Sequence, residues 1–108
     1  RVSMLRHVVL FQFKDETPPE KVTEIEEAFC ALPERISEIT GFEWGTDVSV
    51  QGFARGFTHC FLVTTADEAD RDAYGTHPEH QEFLALSRPH VEQILTFDYF
   101  VQDAYAKG

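Results

Sequence analysis

Three short runs of this chain are apolar on both of their faces, which gives a small sheet one side more than its own helices can cover. Leu5–Phe13 (LRHVVLFQF) is rich in β-branched and aromatic residues and reads as a strand. Leu5, His7, Val9, Phe11 and Phe13 share one face, yet Val8 and Leu10 lie on the other. In the run 57–65, Phe57, His59, Phe61 and Val63 oppose Cys60 and Leu62. In the run 91–101, Leu95, Phe97 and Tyr99 oppose Ile94 and Thr96. A sheet covered by helices on one side alternates apolar-in and polar-out. These strands do not, so the second face forms a patch of a size that soluble monomers seldom expose. The chain has no spare helices to cover it. A second copy, sheet against sheet, buries it, and the expected assembly is a homodimer closed into a barrel.

Helical spacing fills in the remainder. Pro18 and Pro19 suit a first helical turn, and Thr17 with Glu20 reads as a capping box. Val22, Ile25, Phe29 and Leu32 follow at helical period, with Glu24, Glu26 and Glu27 on the wet side, and Pro33 is expected to interrupt the helix. Phe42–Val50 alternates and reads as a second strand, followed by a loop at 51–56 and a strand at 57–65. Residues 66–74 form a short acidic helix. Thr76 and Glu79 predict the start of another around Pro78, running to about Ser87 and closed by Pro89. The order is β-α-β-β-α-β with an extra short helix, an α+β ferredoxin-like arrangement with four antiparallel strands. The 108 residues make one domain. Met4 is a candidate natural initiator, with Arg1–Ser3 an added leader, and 103–108 reads as a polar tail.

Nine basic against nineteen acidic residues give a formal charge of −10, which repels phosphate backbones and anionic lipid; neither nucleic acid nor a membrane is an expected partner. Cys30 and Cys60 do not make a disulfide framework, and a reducing, cytoplasmic home fits them. No run reaches membrane-spanning length, and the start does not read as a secretion signal.

Several segments resemble, in order, those of the stress-responsive dimeric α/β-barrel (Dabb) family. His7–Lys14 (HVVLFQFK) resembles its opening and Trp44–Val48 (WGTDV) its second strand. Gly56–His59, Asp72–Tyr74 with His77–His80, and Phe97–Tyr99 resemble its later signatures. The resemblance spans nearly the whole chain and implies a homodimeric barrel, with a pocket between sheet and helices in some relatives.

Tyr74-Gly-Thr-His-Pro-Glu-His80 resembles the Tyr-x-x-His-Pro-x-His segment of a plant polyketide cyclase in that family, which closes its substrate by aldol condensation without a cofactor. The resemblance places catalytic roles on Tyr74 and His80, with no cofactor. Strand parity puts His7, Val9, Phe11, His59 and Phe61 on one face, which matches the family's helix-covered side, and with Phe83 they form the expected substrate pocket. The chemistry suits the residues. A histidine takes a proton from carbon beside a carbonyl, and a tyrosine hydroxyl polarises that carbonyl. Helical spacing turns His80 toward the core side, as it lies three and four residues before Phe83 and Leu84. The expected activity is that of a cofactor-independent cyclase, lyase or isomerase on a carbonyl compound. The alternative is a non-catalytic stress or ligand-binding protein, in which His80 serves as a hydrogen-bond partner for Tyr74 or a backbone carbonyl. Gly75 is small where the plant enzyme carries a bulky apolar residue, and Phe11 and Phe61 are large enough to fill space in the cavity. A metal site from His77, Glu79, His80 and Asp98 is not expected, since no recognised ligand motif supports it.

Overall fold

The computed structural model describes residues 3–108. Arg1 and Val2, most of the inferred leader, lie outside the described residues. The elements are β1 (Leu5–Phe13), α1 (Pro19–Arg35), β2 (Gly41–Thr46), β3 (His59–Thr65), α2 (Glu68–Thr76), α3 (Pro78–Ser87), a 3-10 turn (Arg88–His90) and β4 (Val91–Phe100). The strands form one antiparallel sheet in the order β2-β3-β1-β4, the ferredoxin-like arrangement.

Strand register sorts the side chains into two faces. On β1, His7 stands between Val63 and Asp98, and Val9 between Phe61 and Thr96. These residues face the helices. Val8 stands between Leu62 and Phe97, and Leu10 between Cys60 and Leu95, on the open side. The core lies under the helices, where Phe29 of α1 stacks on Phe61 with centroids 4.2 Å apart. Ile25 and Leu32 bury the same side of α1, and Ile36, the extended residue just past its end, is buried with them. The open face stays apolar and accessible: Phe97 is 62% exposed, Leu95 42% and Tyr99 43%.

Helix ends depart from the sequence expectation in instructive ways. Thr17 does not cap α1. Pro18 is the extended N-cap residue, and its carbonyl accepts from both Lys21 and Val22. Pro19 at N1 has no N–H to satisfy, and the Lys21 N–H, which a capping side chain would take, donates to the Pro18 carbonyl instead. Pro33 does not interrupt α1, which continues to Arg35. A proline this near the end removes one helix bond, and buried Phe29, Leu32 and Ile36 on both sides hold the last turn in register. The capping residue of α3 is His77 rather than Thr76. Its Nδ1 accepts from the Glu79 N–H at 3.1 Å, while the Thr76 hydroxyl donates back to the Asp72 carbonyl. Helix α2 begins at Glu68, with the Asp67 carboxylate accepting from the Asp70 N–H. Strands β2 and β3 are shorter than predicted, because residues 47–58 form one long connection.

Candidate active site

A cavity of about 630 Å³ opens where α2 and α3 meet the helix-facing side of β1 and β4. Its chemistry begins at the joint between the two helices. The last carbonyls of a helix have no partner inside it. At the end of α2 the Gly75 carbonyl accepts from His80 Nδ1 at 2.9 Å and from Gln81 Nε2 at 2.8 Å, both on the first turn of α3. A carbonyl oxygen only accepts, so Nδ1 of His80 carries the proton. In the neutral ring Nε2 then holds the lone pair. Burial lowers the His80 pKa, the hydrogen bond to the Gly75 carbonyl opposes it, and the neighbouring His7 and Arg88 lower it further. The ring is therefore neutral and basic near pH 7.

Tyr74 comes from the last turn of α2, and its ring centroid lies 4.4 Å from that of His80. It is 2% exposed. Among the described residues its hydroxyl has no hydrogen-bond partner, and no side-chain nitrogen or oxygen is both buried and unpartnered, so the hydroxyl tip is the accessible part. Burial pushes its pKa well above the ordinary tyrosine value, so it stays a proton donor.

His7 enters from β1, edge-on to Tyr74 at 5.8 Å. Its Nδ1 pairs with Asp98 Oδ1 at 2.6 Å across the β1–β4 ladder, and Arg71 Nη1 donates to the other Asp98 oxygen at 3.1 Å. Arg71 also binds Asp72. The carboxylate thus fixes the orientation of a second imidazole in the same cavity. Val9, Phe11, Phe29 and Phe83 form the apolar floor. Phe11 and Phe83 lie nearly parallel, with centroids 6.4 Å apart.

Of the residues predicted for the site, Tyr74, His80, His7, Val9, Phe11 and Phe83 line this cavity. His59 and Phe61 do not. Phe61 is fully buried beneath α1. His59 shares the helix-facing side but stands opposite Phe11, whereas His7 stands opposite Val63 toward the other end of the strand pair. There His59 Nε2 meets Glu26 at 2.7 Å, Nδ1 meets the Thr58 hydroxyl at 2.7 Å, and the ring stacks on Trp44. Sequence reasoning missed Arg71 and Asp72, and it considered Asp98 only as a metal ligand. Among the described residues no cluster of three or more His, Cys, Asp or Glu side chains could hold a metal ion. A second cavity, about 680 Å³, lies over Val8, Leu10, Leu62 and Leu95; it belongs to the open sheet face and holds neither Tyr74 nor His80. No helix among the described residues is long and apolar enough to cross a membrane.

A four-stranded antiparallel sheet in the order β2-β3-β1-β4 with helices on one face defines a ferredoxin-like α+β domain. Residues 5–101 match the model of the stress responsive A/B barrel domain, and the chain belongs to that family. It is 34% identical over 95 residues to stress-response A/B barrel domain-containing protein HS1 of Arabidopsis thaliana, covering 88% of this chain and 87% of that one. It is 30% identical over 95 residues to olivetolic acid cyclase of Cannabis sativa, covering 88% and 94%. Among solved structures, a hydroxynitrile lyase from Passiflora edulis superposes with a TM-score of 0.89 at 25% identity, over 98% of this chain and all of that one. A dimeric ferredoxin-like protein from Jannaschia superposes with a TM-score of 0.79 at 25% identity, over 91% and 99%.

Proposed function

We propose that this domain is a cofactor-independent enzyme that makes or breaks a carbon–carbon bond beside a carbonyl, with His80 as base and Tyr74 as hydroxyl donor. The observation that carries this is the Gly75–His80 hydrogen bond, which leaves Nε2 unprotonated in a cavity shared with Tyr74. In the forward sense Nε2 takes a proton from the carbon next to the carbonyl. The electron pair moves onto the carbonyl oxygen, which the Tyr74 hydroxyl stabilises by hydrogen bonding. The carbanion end of this enolate attacks a second carbonyl, and the His80 imidazolium returns the proton to the new alkoxide. A lyase runs the same steps backward. A cyclase and a lyase among the similar proteins support this reaction class.

The working unit in this reading is a cytoplasmic homodimer, joined through the open sheet face. The exposed apolar residues there and the dimeric relative support the assembly, and two free thiols suit a reducing compartment. The deciding experiment compares wild type, His80→Ala and Tyr74→Phe over a panel of aldol-type ketones and hydroxynitriles. Turnover by wild type that falls about 10²–10⁴-fold in His80→Ala supports the assignment. Equal turnover in the variant, or none with any compound, favours a non-catalytic ligand-binding protein.

A further inference from the structure

We infer that Arg88 anchors a carboxylate at the mouth of this cavity, so the substrate is a carbonyl compound carrying an acid group several carbons from the reacting centre. The inference rests on the site proposed above and names its substrate class. His80, Leu84 and Arg88 follow at intervals of four residues, and all three line the cavity. Helical geometry holds through Arg88, which keeps helical backbone angles and donates its N–H to the Leu84 carbonyl. The three side chains therefore form one stripe. It offers a base at one end, an apolar rung in the middle and a cation at the other end.

The two cavity arginines are not equivalent. Arg71 is already bound by Asp72 and Asp98. Arg88 has no carboxylate within ion-pair distance among the described residues. In a chain of net charge −10, an exposed guanidinium at the rim of a cavity whose own carboxylates, Asp72 and Asp98, are held by Arg71 is matched to an anion from outside. Its field also reaches His80, which places cation and base in one electrostatic environment.

The stripe sets a length. Eight residues rise about 12 Å along a helix, and a long side chain leans back toward the N-terminus, so the guanidinium and imidazole are separated by roughly 6–10 Å. A keto acid spans that gap with a chain of about six to eight carbons lying over Leu84 and the aromatic floor.

Isothermal titration separates this inference from the catalytic one. The probes are a saturated methyl-ketone carboxylic acid of about eight carbons and its methyl ester, titrated into wild type, Arg88→Gln and Arg88→Lys. Wild type is expected to bind the acid about tenfold more tightly than the ester. Arg88→Gln should erase that preference and leave ester affinity unchanged, while Arg88→Lys, which keeps the charge at the helix end, should retain part of it. Equal binding of acid and ester by wild type, or a preference that survives in Arg88→Gln, overturns the anchor and leaves the pocket standing. Binding of neither probe overturns the anchor and the pocket together. Turnover in His80→Ala is read independently of all these arms.

Discussion

Replacing Phe97 by alanine should weaken self-association by several kcal/mol while leaving the protomer folded. Phe97 projects from the open face of β4, opposite Val8, and is 62% exposed. A phenylalanine side chain presents on the order of 200 Å². Covering the exposed part removes roughly 120 Å² from water, about 3 kcal/mol at ~25 cal/mol per Å². A twofold interface contains the residue twice, which raises the figure to about 6 kcal/mol. Alanine keeps a methyl group, and area converts incompletely into affinity, so the expected loss is about 3–5 kcal/mol, or ~10²–10⁴ in Kd. Sedimentation velocity across nanomolar to high-micromolar concentrations measures it, with far-UV circular dichroism to confirm the fold. Glu24→Ala, an exposed change on the helix side, should leave association untouched. A wild-type chain that stays monomeric at high micromolar concentration refutes the reasoning, as does a Phe97→Ala chain that associates as tightly as wild type.

Two further outcomes follow from the site. Because burial first, and then His7 and Arg88, lower the His80 pKa, a base-dependent kcat/KM should rise with pH, reach half its maximum below the ordinary histidine value of 6.5, and stay level through neutrality; a midpoint above that value in a pH–rate profile contradicts the assignment. Gly75 sits inside α2 with open space where a Cβ would go, so Gly75→Ala should stabilise the protein by about 0.5–1 kcal/mol in urea unfolding, and a loss of stability speaks against that local geometry.

Strand faces were legible in the sequence because their period of two is a property of each residue's own position. The pairing of ends was not. Placing His59 beside His7 used face parity alone, and parity is silent about which end of a strand a residue occupies; the β1–β3 register decides that, setting His59 opposite Phe11. Asp98 shows the same limit from the other side. Its partner His7 is 91 positions away, and only the β1–β4 register brings them together. A signal was nevertheless present. A carboxylate in the apolar run ILTFDYF, on the helix-facing parity of Ile94 and Thr96, needs a partner in that layer, and His7 was a candidate. The helix starts were misplaced by one or two residues for a local reason: at α1 the Pro18 carbonyl takes the N–H that a capping side chain would serve, and at α3 a histidine nitrogen accepts as well as a threonine hydroxyl.

The structural and chemical readings of His80 meet in one proton. A neutral imidazole carries one N–H and one lone pair, and in a protein the hydrogen bonds around the ring set which nitrogen holds which. Here the unpaired carbonyl at the end of α2 decides it, because it accepts a hydrogen bond and cannot give one. Holding the two helices together therefore produces the tautomer with the lone pair on Nε2, and burial lowers the pKa of the ring, so the base form is the one present at neutral pH. Burial acts with opposite effect on the neighbouring phenol, whose proton it holds in place. One desolvated pocket thus leaves one group ready to accept a proton and the other unable to lose one, the separation of roles that acid–base chemistry at a carbonyl requires.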